Sequence, residues 1–438
     1  MIRLAEMLRI SFLAFAYSVA IMAQQGQPDP VFDRIPFEHW LEERGDAHIQ
    51  WSMAVNPARL TVHQRLAVVL SVRIDGAEFA KGSGSGQMVV FLEVRDHDDR
   101  VFRTHHAVHF GDVQNPGGVA SVNFDQYAFF EPGEYQVAAA VYDSASKEHA
   151  LKKTRLRVPE VPRDPLPDSW RNMPEVEYMT FGQAPDAWYL PETSSRLNLP
   201  VSNERPVRVE VVVNESPTEL TGRTSRAMRR NMGNLIPALK VLSQMTLNGS
   251  INVTLLDLER RKVSFTQEQA GNLDWTRLRA ALLDNDPNSI DVHALENHEQ
   301  NAQFFVSEVR KRLESPETGD ARVLIVLSGP MAFPKGQNLK PIEASPEPGT
   351  KVFYICYYPP RPGLEFGASP ELAQPGAMGR RSVSQARPPV VGPGRGAPLD
   401  DSLARTLKPL APRQFNVTTP IEFRNALAAI MSEISRLK

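Results

Sequence analysis

A single cysteine, Cys356, stands in 438 residues, so no disulfide can close within the chain. It lies inside the apolar run Val352-Phe353-Tyr354-Ile355-Cys356-Tyr357, which predicts a small buried hydrophobe rather than a reactive thiol. Excess charge of one sign is also lacking. The 49 basic residues against 51 acidic ones leave a formal charge of −2, which argues against nucleic acid or an anionic membrane as the partner. Long apolar runs are scarce, and after the first two dozen residues none is long enough to span a bilayer. What is present is ordinary for globular chains, 42% hydrophobic and 23% charged, and the length predicts two or three domains. Proline is the one excess: there are 36, and they cluster.

At the start, Arg3 and Arg9 precede the uncharged, mostly apolar stretch Ile10 to Ala23, and Ile21-Met22-Ala23 offers a small residue before Gln24-Gln25. That layout predicts a secretory signal over 1–23, cleaved after Ala23, and an exported chain in the periplasm or outside the cell. Residues 24–47 form a short N-terminal segment before the first periodic pattern.

Over 48–158 the pattern has period two. Leu66, Val68, Leu70, Val72 and Ile74 alternate, as do Met88, Val90, Leu92 and Val94, then Tyr135, Val137, Ala139 and Val141. Two packed sheets are the natural way to bury one face of each strand. Glu131-Pro132-Gly133-Glu134-Tyr135 places a turn before a tyrosine-led strand, and Thr154 to Val158 closes the module; this ending resembles the last two strands of immunoglobulin-like sandwiches. Two motifs here invite chemistry and fail on geometry. Lys81-Gly82-Ser83-Gly84-Ser85-Gly86 lacks the lysine-threonine ending and following helix of a phosphate loop. In His105-His106-Ala107-Val108-His109, the outer histidines would lie about 13 Å apart on a strand while His106 points the other way, so they cannot share one ion.

Residues 159–204 carry prolines at 162, 165, 167, 174, 185, 191 and 200, interspersed with Trp170, Tyr178, Phe181, Trp188 and Tyr189. An undocked linker has no use for aromatics, so an extended, partly docked connector is expected. From 205 to 438 strands alternate with helical patterns. The run Val207 to Asn214 opens the region, Met228, Met232, Leu235, Leu239 and Leu242 mark one helix face, and Ile251 to Asp257 reads as the next strand. Arg322 to Leu327 and Val352 to Tyr358 are apolar throughout, as in strands buried on both faces of a parallel sheet. Thr419, Pro420 and Glu422 spell the start of a final helix with Phe423, Leu427, Ile430 and Ile434 on its buried face. The order predicts a doubly wound, mostly parallel α/β sheet, interrupted over 359–412 by a Pro/Gly/Arg/Ser-rich insert expected to be disordered.

The strand-loop-helix at Asn214, the Ser328-Gly329 turn and the closing strand and helix together resemble a von Willebrand factor type A domain, in particular the VWFA-related proteins described as acidobacterial. That resemblance implies a divalent-ion site of the Asp-x-Ser-x-Ser kind at the carboxyl edge of the sheet, completed by a threonine and an aspartate from later loops. Carried over, its first aspartate falls on Asn214, its serines on Ser216 and Thr218, and its last aspartate at or beside Gly329. Hydroxyls are kept and both carboxylates are lost. Magnesium is normally held by one or two carboxylates, so the site reads as vestigial and no cofactor is expected. Nor does Ser216 make a nucleophile, since Pro217 behind it has no N–H to offer an oxyanion. Arg223, Arg226 and Arg230 follow helical spacing near the same edge and are the candidates for meeting an acidic protein surface. The sequence therefore points to an exported, non-enzymatic protein-interaction module. The readings that compete with it are an envelope-associated enzyme sited between the two domains, for which Asp291, His293 and His298 are the residues to inspect, a metal-dependent binder with substitute carboxylates, and a structural part of an envelope assembly.

Overall fold

The computed structural model describes residues 29–42, 48–81, 86–113, 121–179, 193, 195–216, 225–284, 298–314, 321–331, 342, 350–358 and 401–437, with backbone alone at 225–231, 283–284 and 298–299. The expected signal, 1–23, lies outside them. Two modules follow one another, the first built almost wholly of strands and the second mixed α/β. Among the described residues no helix is long and apolar enough to cross a membrane.

The first module opens with helix α1 (Phe37–Glu42) and continues through β1 (Trp51–Val55), β2 (Arg59–Leu60), β3 (Leu66–Asp75), α2 (Gly76–Lys81), β4 (Gln87–Arg95), β5 (Val101–His109), β6 (Ser121–Phe130), β7 (Gly133–Asp143), β8 (His149–Val158) and β9 (Val176–Tyr178). One sheet runs β1-β3-β6-β9 with β2 beside β3, and the other runs β5-β4-β7-β8, with every pairing antiparallel. The alternating residues seen in the sequence face one another: Val68, Leu70, Val72 and Ile74 share a core with Val90, Leu92, Val94, Val137, Ala139 and Val141. Strand β4 is buried on both faces, because Phe32, Phe37 and Trp40 of the N-terminal segment cover Val89, Phe91, Ala138 and Ala140. Three mutually inclined rings, Phe32, Phe37 and Phe91, hold that lid in place.

The second module comprises β10 (Leu199–Pro200), β11 (Val207–Asn214), α3 (Ser225–Leu242), β12 (Met245–Thr246), β13 (Gly249–Asp257), β14 (Lys262–Gln267), α4 (Trp275–Asp284), α5 (His298–Leu313), β15 (Ala321–Ser328), β16 (Lys351–Tyr357), α6 (Ser402–Leu407), β17 (Arg413–Val417) and α7 (Pro420–Ser435). Its six-stranded sheet has the order β14-β13-β11-β15-β16-β17, parallel throughout except at the β13/β14 edge. Helices cover both faces. Val209, Val211 and Val213 pack in one core with Leu235 and Leu239 of α3, Leu278 of α4, and Phe423, Leu427 and Ile430 of α7. Val212, Val326, Tyr354 and Cys356 pack in the other with Phe305 and Val309 of α5 and Leu403 and Leu407 of α6. Gly249 is fixed by this geometry: its φ is +140°, and a Cβ there would lie 2.0 Å from the Val207 carbonyl oxygen.

One expectation about a segment boundary is corrected. The insert read as disordered over 359–412 ends sooner: 401–412 is folded, with the Asp401 carboxylate accepting from the Leu403 and Ala404 amides to cap α6. Composition misled there because Ser402, Leu403, Thr406 and Leu407 find burial only against the finished sheet. The 159–204 connector is more than a spacer, since β9 completes a sheet of the first module and β10 pairs with β12 of the second. Trp170 donates its indole N–H to the Gln64 carbonyl at 2.7 Å, and Tyr178 donates its hydroxyl to the Phe102 carbonyl at 3.0 Å. Phe181, Trp188 and Tyr189 lie outside the described residues.

A fully buried guanidinium fastens this connector to α7. Arg424, at 0% exposure, donates from Nε and Nη2 to the two Asp164 oxygens at 2.6 and 2.7 Å, and from Nη2 to the Leu166 carbonyl and the Ser169 hydroxyl, with the Trp170 ring 4.7 Å away. Removing one partner of such a pair strands a charge out of water. We expect Asp164→Ala to cost about 3–5 kcal/mol in urea unfolding, and Asp164→Leu with Arg424→Met to recover most of that loss; equal cost for the single and double variants would show that the pair is not what holds the connector.

Candidate functional site

In a parallel sheet covered by helices, loops leaving the carboxyl ends of the strands are where ligands are usually met. Here that edge is formed by the ends of β11, β13, β15 and β16. Asn214 closes β11 and is almost fully buried, as are Glu215 and Ser216 after it. The Asn214 amide bridges two loops: Nδ2 donates to the Ser328 hydroxyl at 2.9 Å and faces Met331 Sδ at 3.6 Å, while Oδ1 accepts the Ser216 N–H at 3.1 Å. The ends of β11 and β15 are thus joined by an amide and a hydroxyl. Ser216 turns away from Ser328. Its hydroxyl donates to Asp257 Oδ1 at 3.2 Å and accepts the Glu259 N–H at 3.2 Å. Asn214 and Ser216 are therefore neighbours in sequence whose side chains serve different strands. Thr218 and Arg223 lie outside the described residues, and Arg226 and Arg230 fall on α3 where backbone alone is described.

Two carboxylates lie at this edge: Glu215, which with Asp291 is the substitute ligand the metal-dependent alternative would call on, and Asp257, which was not singled out from sequence. Asp257 ends β13 and is buried; its Oδ1 also accepts the Glu259 and Arg260 amides, each at 3.0 Å, folding the β13–β14 turn around it. The signal was available, since an acid terminating a strand beside β11 arrives at the same edge as Asn214. Glu215, fully buried, receives the Ser264 hydroxyl of β14. Burial, reinforced by the charge of Asp257, pushes the Glu215 carboxyl up to about 8, so it holds its proton at neutral pH. A neutral carboxyl is a poor ligand for a hard divalent ion.

A third acid comes from across the insert. Asp401 Oδ2 accepts the Tyr354 hydroxyl at 2.8 Å and lies 3.5 Å from Cys356 Sγ, and its Oδ1 faces the Met331 amide at 3.4 Å. Burial first and this carboxylate second raise the Cys356 thiol to about 12. Asp401 is thereby spent on a helix cap and a phenol, both structural tasks.

The histidine-rich strand β5 behaves as its geometry required: His105 meets Asp29, and His106 Nε2 meets Gln126 Oε1 at 2.6 Å. Asp291 and His293 lie outside the described residues, and His298 begins α5 with backbone alone described. One other group, Asp96, His97 and Glu175, brings potential ligand atoms within 4.8 Å of one another. Arg100 already ion-pairs with both of its acids, at 2.7 Å to Asp96 and also to Glu175, supplying the positive charge an ion would bring.

No protein-family profile matches the chain, and no curated protein matches it. Among solved structures, a Bordetella pertussis protein provisionally described as ApaA aligns at 12% identity over 26% of this chain and 97% of that one, with a TM-score of 0.17. A β-glucosidase from Listeria innocua in complex with glucose aligns at 14% identity over 26% of this chain and 17% of that one, with a TM-score of 0.15. Similarities this slight carry no argument about activity.

The raised Glu215 carboxyl has a signed consequence. An unfolded glutamate titrates near 4.5 and the folded one at about 8, so between these values the folded protein binds the extra proton and stability falls as pH rises. Glu215→Gln removes that slope. The variant should match the parent near pH 4.5 and gain on it by up to about 1.4 kcal/mol per pH unit until about pH 8; urea midpoints that run parallel with pH would show that Glu215 does not carry the proton.

Proposed function

We propose that this is an exported, non-enzymatic interaction protein in which an immunoglobulin-like β module precedes a type A-like α/β module whose metal site is degenerate. The observation that carries the reading is the Asn214 amide. It joins the loops after β11 and β15 through Ser328 and Ser216, at the two places where the resemblance puts metal-binding aspartates. Further support comes from the six-stranded order with helices on both faces, and from the Tyr135 hydroxyl donating to the Glu131 carbonyl at 2.9 Å, the corner expected of an immunoglobulin-like ending. With the ion's role lost, binding is assigned to the surface around the edge, and the sequence offers Arg223, Arg226 and Arg230 as the positive charge an acidic partner protein would meet. The signal layout read in residues 1–23 supports a partner in the periplasm or outside the cell.

Calorimetric titration of the chain with magnesium or manganese should give only heats of dilution; micromolar binding abolished by Ser216→Ala would overturn the degenerate-site reading. In parallel, crosslinking capture from envelope and secreted fractions should recover an acidic protein that is lost when Arg223, Arg226 and Arg230 are all replaced by glutamate. Recovery unchanged by the charge reversal would move the binding surface elsewhere.

A further inference from the structure

The two sheets of the first module do not close on one side. Strand β1 ends one sheet and β8 ends the other, and the two face each other across a groove of about 590 Å³. Met53, Val55 and Pro57 form one wall, and Thr154 to Arg157 form the other. Lys152 shuts one end by donating to the Trp51 carbonyl at 2.6 Å while lying 4.6 Å over the Trp51 ring. Beyond it the inward face of β8 is interrupted: Ala150, Leu156 and Val158 are buried, whereas Lys152 and Thr154 between them are exposed. Opposite, Met53 and Val55 of β1 touch the core yet remain only half-buried. An apolar floor is thus open to solvent where a closed sandwich would hide it.

The rim is cationic. His149 to Arg157 carries Lys152, Lys153, Arg155 and Arg157 and no acid, in a chain whose net charge is only −2. Arg155 and Arg157 are exposed on the outward face of β8, and no described carboxylate pairs with either, although Glu134 stands opposite Arg157 in the register. Lys153 reaches the Leu41 carbonyl of α1. Lysine and inward charge on an edge strand are a common guard against unwanted pairing. Such a guard has no need of the half-buried apolar side chains of Met53 and Val55 beneath it, nor of arginines directed along one side.

We propose that this edge binds an extended acidic segment of another protein, added as a strand beside β8. Strand addition draws affinity from backbone hydrogen bonds and specificity from alternate side chains. At about 3.3 Å per residue the groove from Thr154 to Arg157, with its flanks, takes five or six residues. Alternation fixes the pattern: acids on the outward side would meet Lys153, Arg155 and Arg157, and apolar residues on the inward side would meet Met53, Val55 and Leu156. This surface lies on the β module, so the proposal stands or falls independently of the carboxyl-edge site.

The test is fluorescence anisotropy of the full chain with a labelled hexapeptide alternating glutamate and valine. Saturable binding is expected, weakened at least about tenfold by Arg155→Glu with Arg157→Glu, and weakened comparably by N-methylating alternate peptide amides or by Val55→Asp, which leaves the arginines in place. Far-ultraviolet melts of the arginine variant should match the parent, as those side chains are exposed, and because Val55 packs on the core its variant is compared at a temperature where its own melt shows it folded. Absence of binding to the parent chain overturns the proposal, as does binding that survives the charge reversal and Val55→Asp. Retention of full affinity by the N-methylated peptide, or its equal displacement by heparin, would mean a polyanion contact rather than strand addition and would also overturn it.

Discussion

A guanidinium removed entirely from water depends on the partners it finds, and for Arg424 the connector supplies those of Nε and Nη2. Asp164, the Leu166 carbonyl, Ser169 and the Trp170 face all come from residues 164–170, while Arg424 itself rides on α7, the last helix of the chain. The place of the final helix is therefore tied to the middle of the chain. Around this point the modules share further polar contacts: Gln64 donates to the Pro420 carbonyl at 3.1 Å, and Arg65 pairs with Glu177 and Ser195. His63, half-buried near Lys240 and Arg65, has its pKa lowered to about 3, chiefly by desolvation, so it adds no charge to a region already rich in cations. The junction is an ordered interior in its own right.

The carboxyl edge of the sheet obeys a related rule. Among the described residues there, the polar side chains that could present lone pairs to a ligand are turned inward. The Asn214 amide ties β11 to β15, the Ser216 hydroxyl ties β11 to β13, Asp257 gathers the turn into β14, and Asp401 ties α6 to β16. Replacing a carboxylate by an amide changes more than charge. An amide donates as well as accepts, so it can bond directly to a neighbouring hydroxyl that two anionic loops would have approached only through a cation.

Much of the fold could be read from periodicity. The period-two runs of β3, β4 and β7, the apolar strands β15 and β16, and the Thr419/Glu422 capping box all lie where their patterns placed them, because each pattern records which face a residue must bury. The site was half legible. Asn214 and Ser328 meet, as the strand order required, but the partners of Ser216 were hidden, since the sequence does not announce that β13 lies on one side of β11 and β15 on the other. Asp257 was passed over although it ends a strand read from the sequence, and Asp401 was hidden because it follows a long proline-rich stretch whose composition concealed a helix cap.

Cys356 carries a consequence for chemistry elsewhere. Its thiol is fully buried, lies 3.5 Å from an Asp401 oxygen, and is raised to about 12. Thiolate is the species that attacks disulfides and is oxidised, so at neutral pH this sulfur has almost none to offer. A chain with one sulfhydryl, sealed and held protonated, is indifferent to whether its surroundings are reducing or oxidising. Its fold needs no oxidant to mature, and once formed it gives foreign thiols nothing to exchange with.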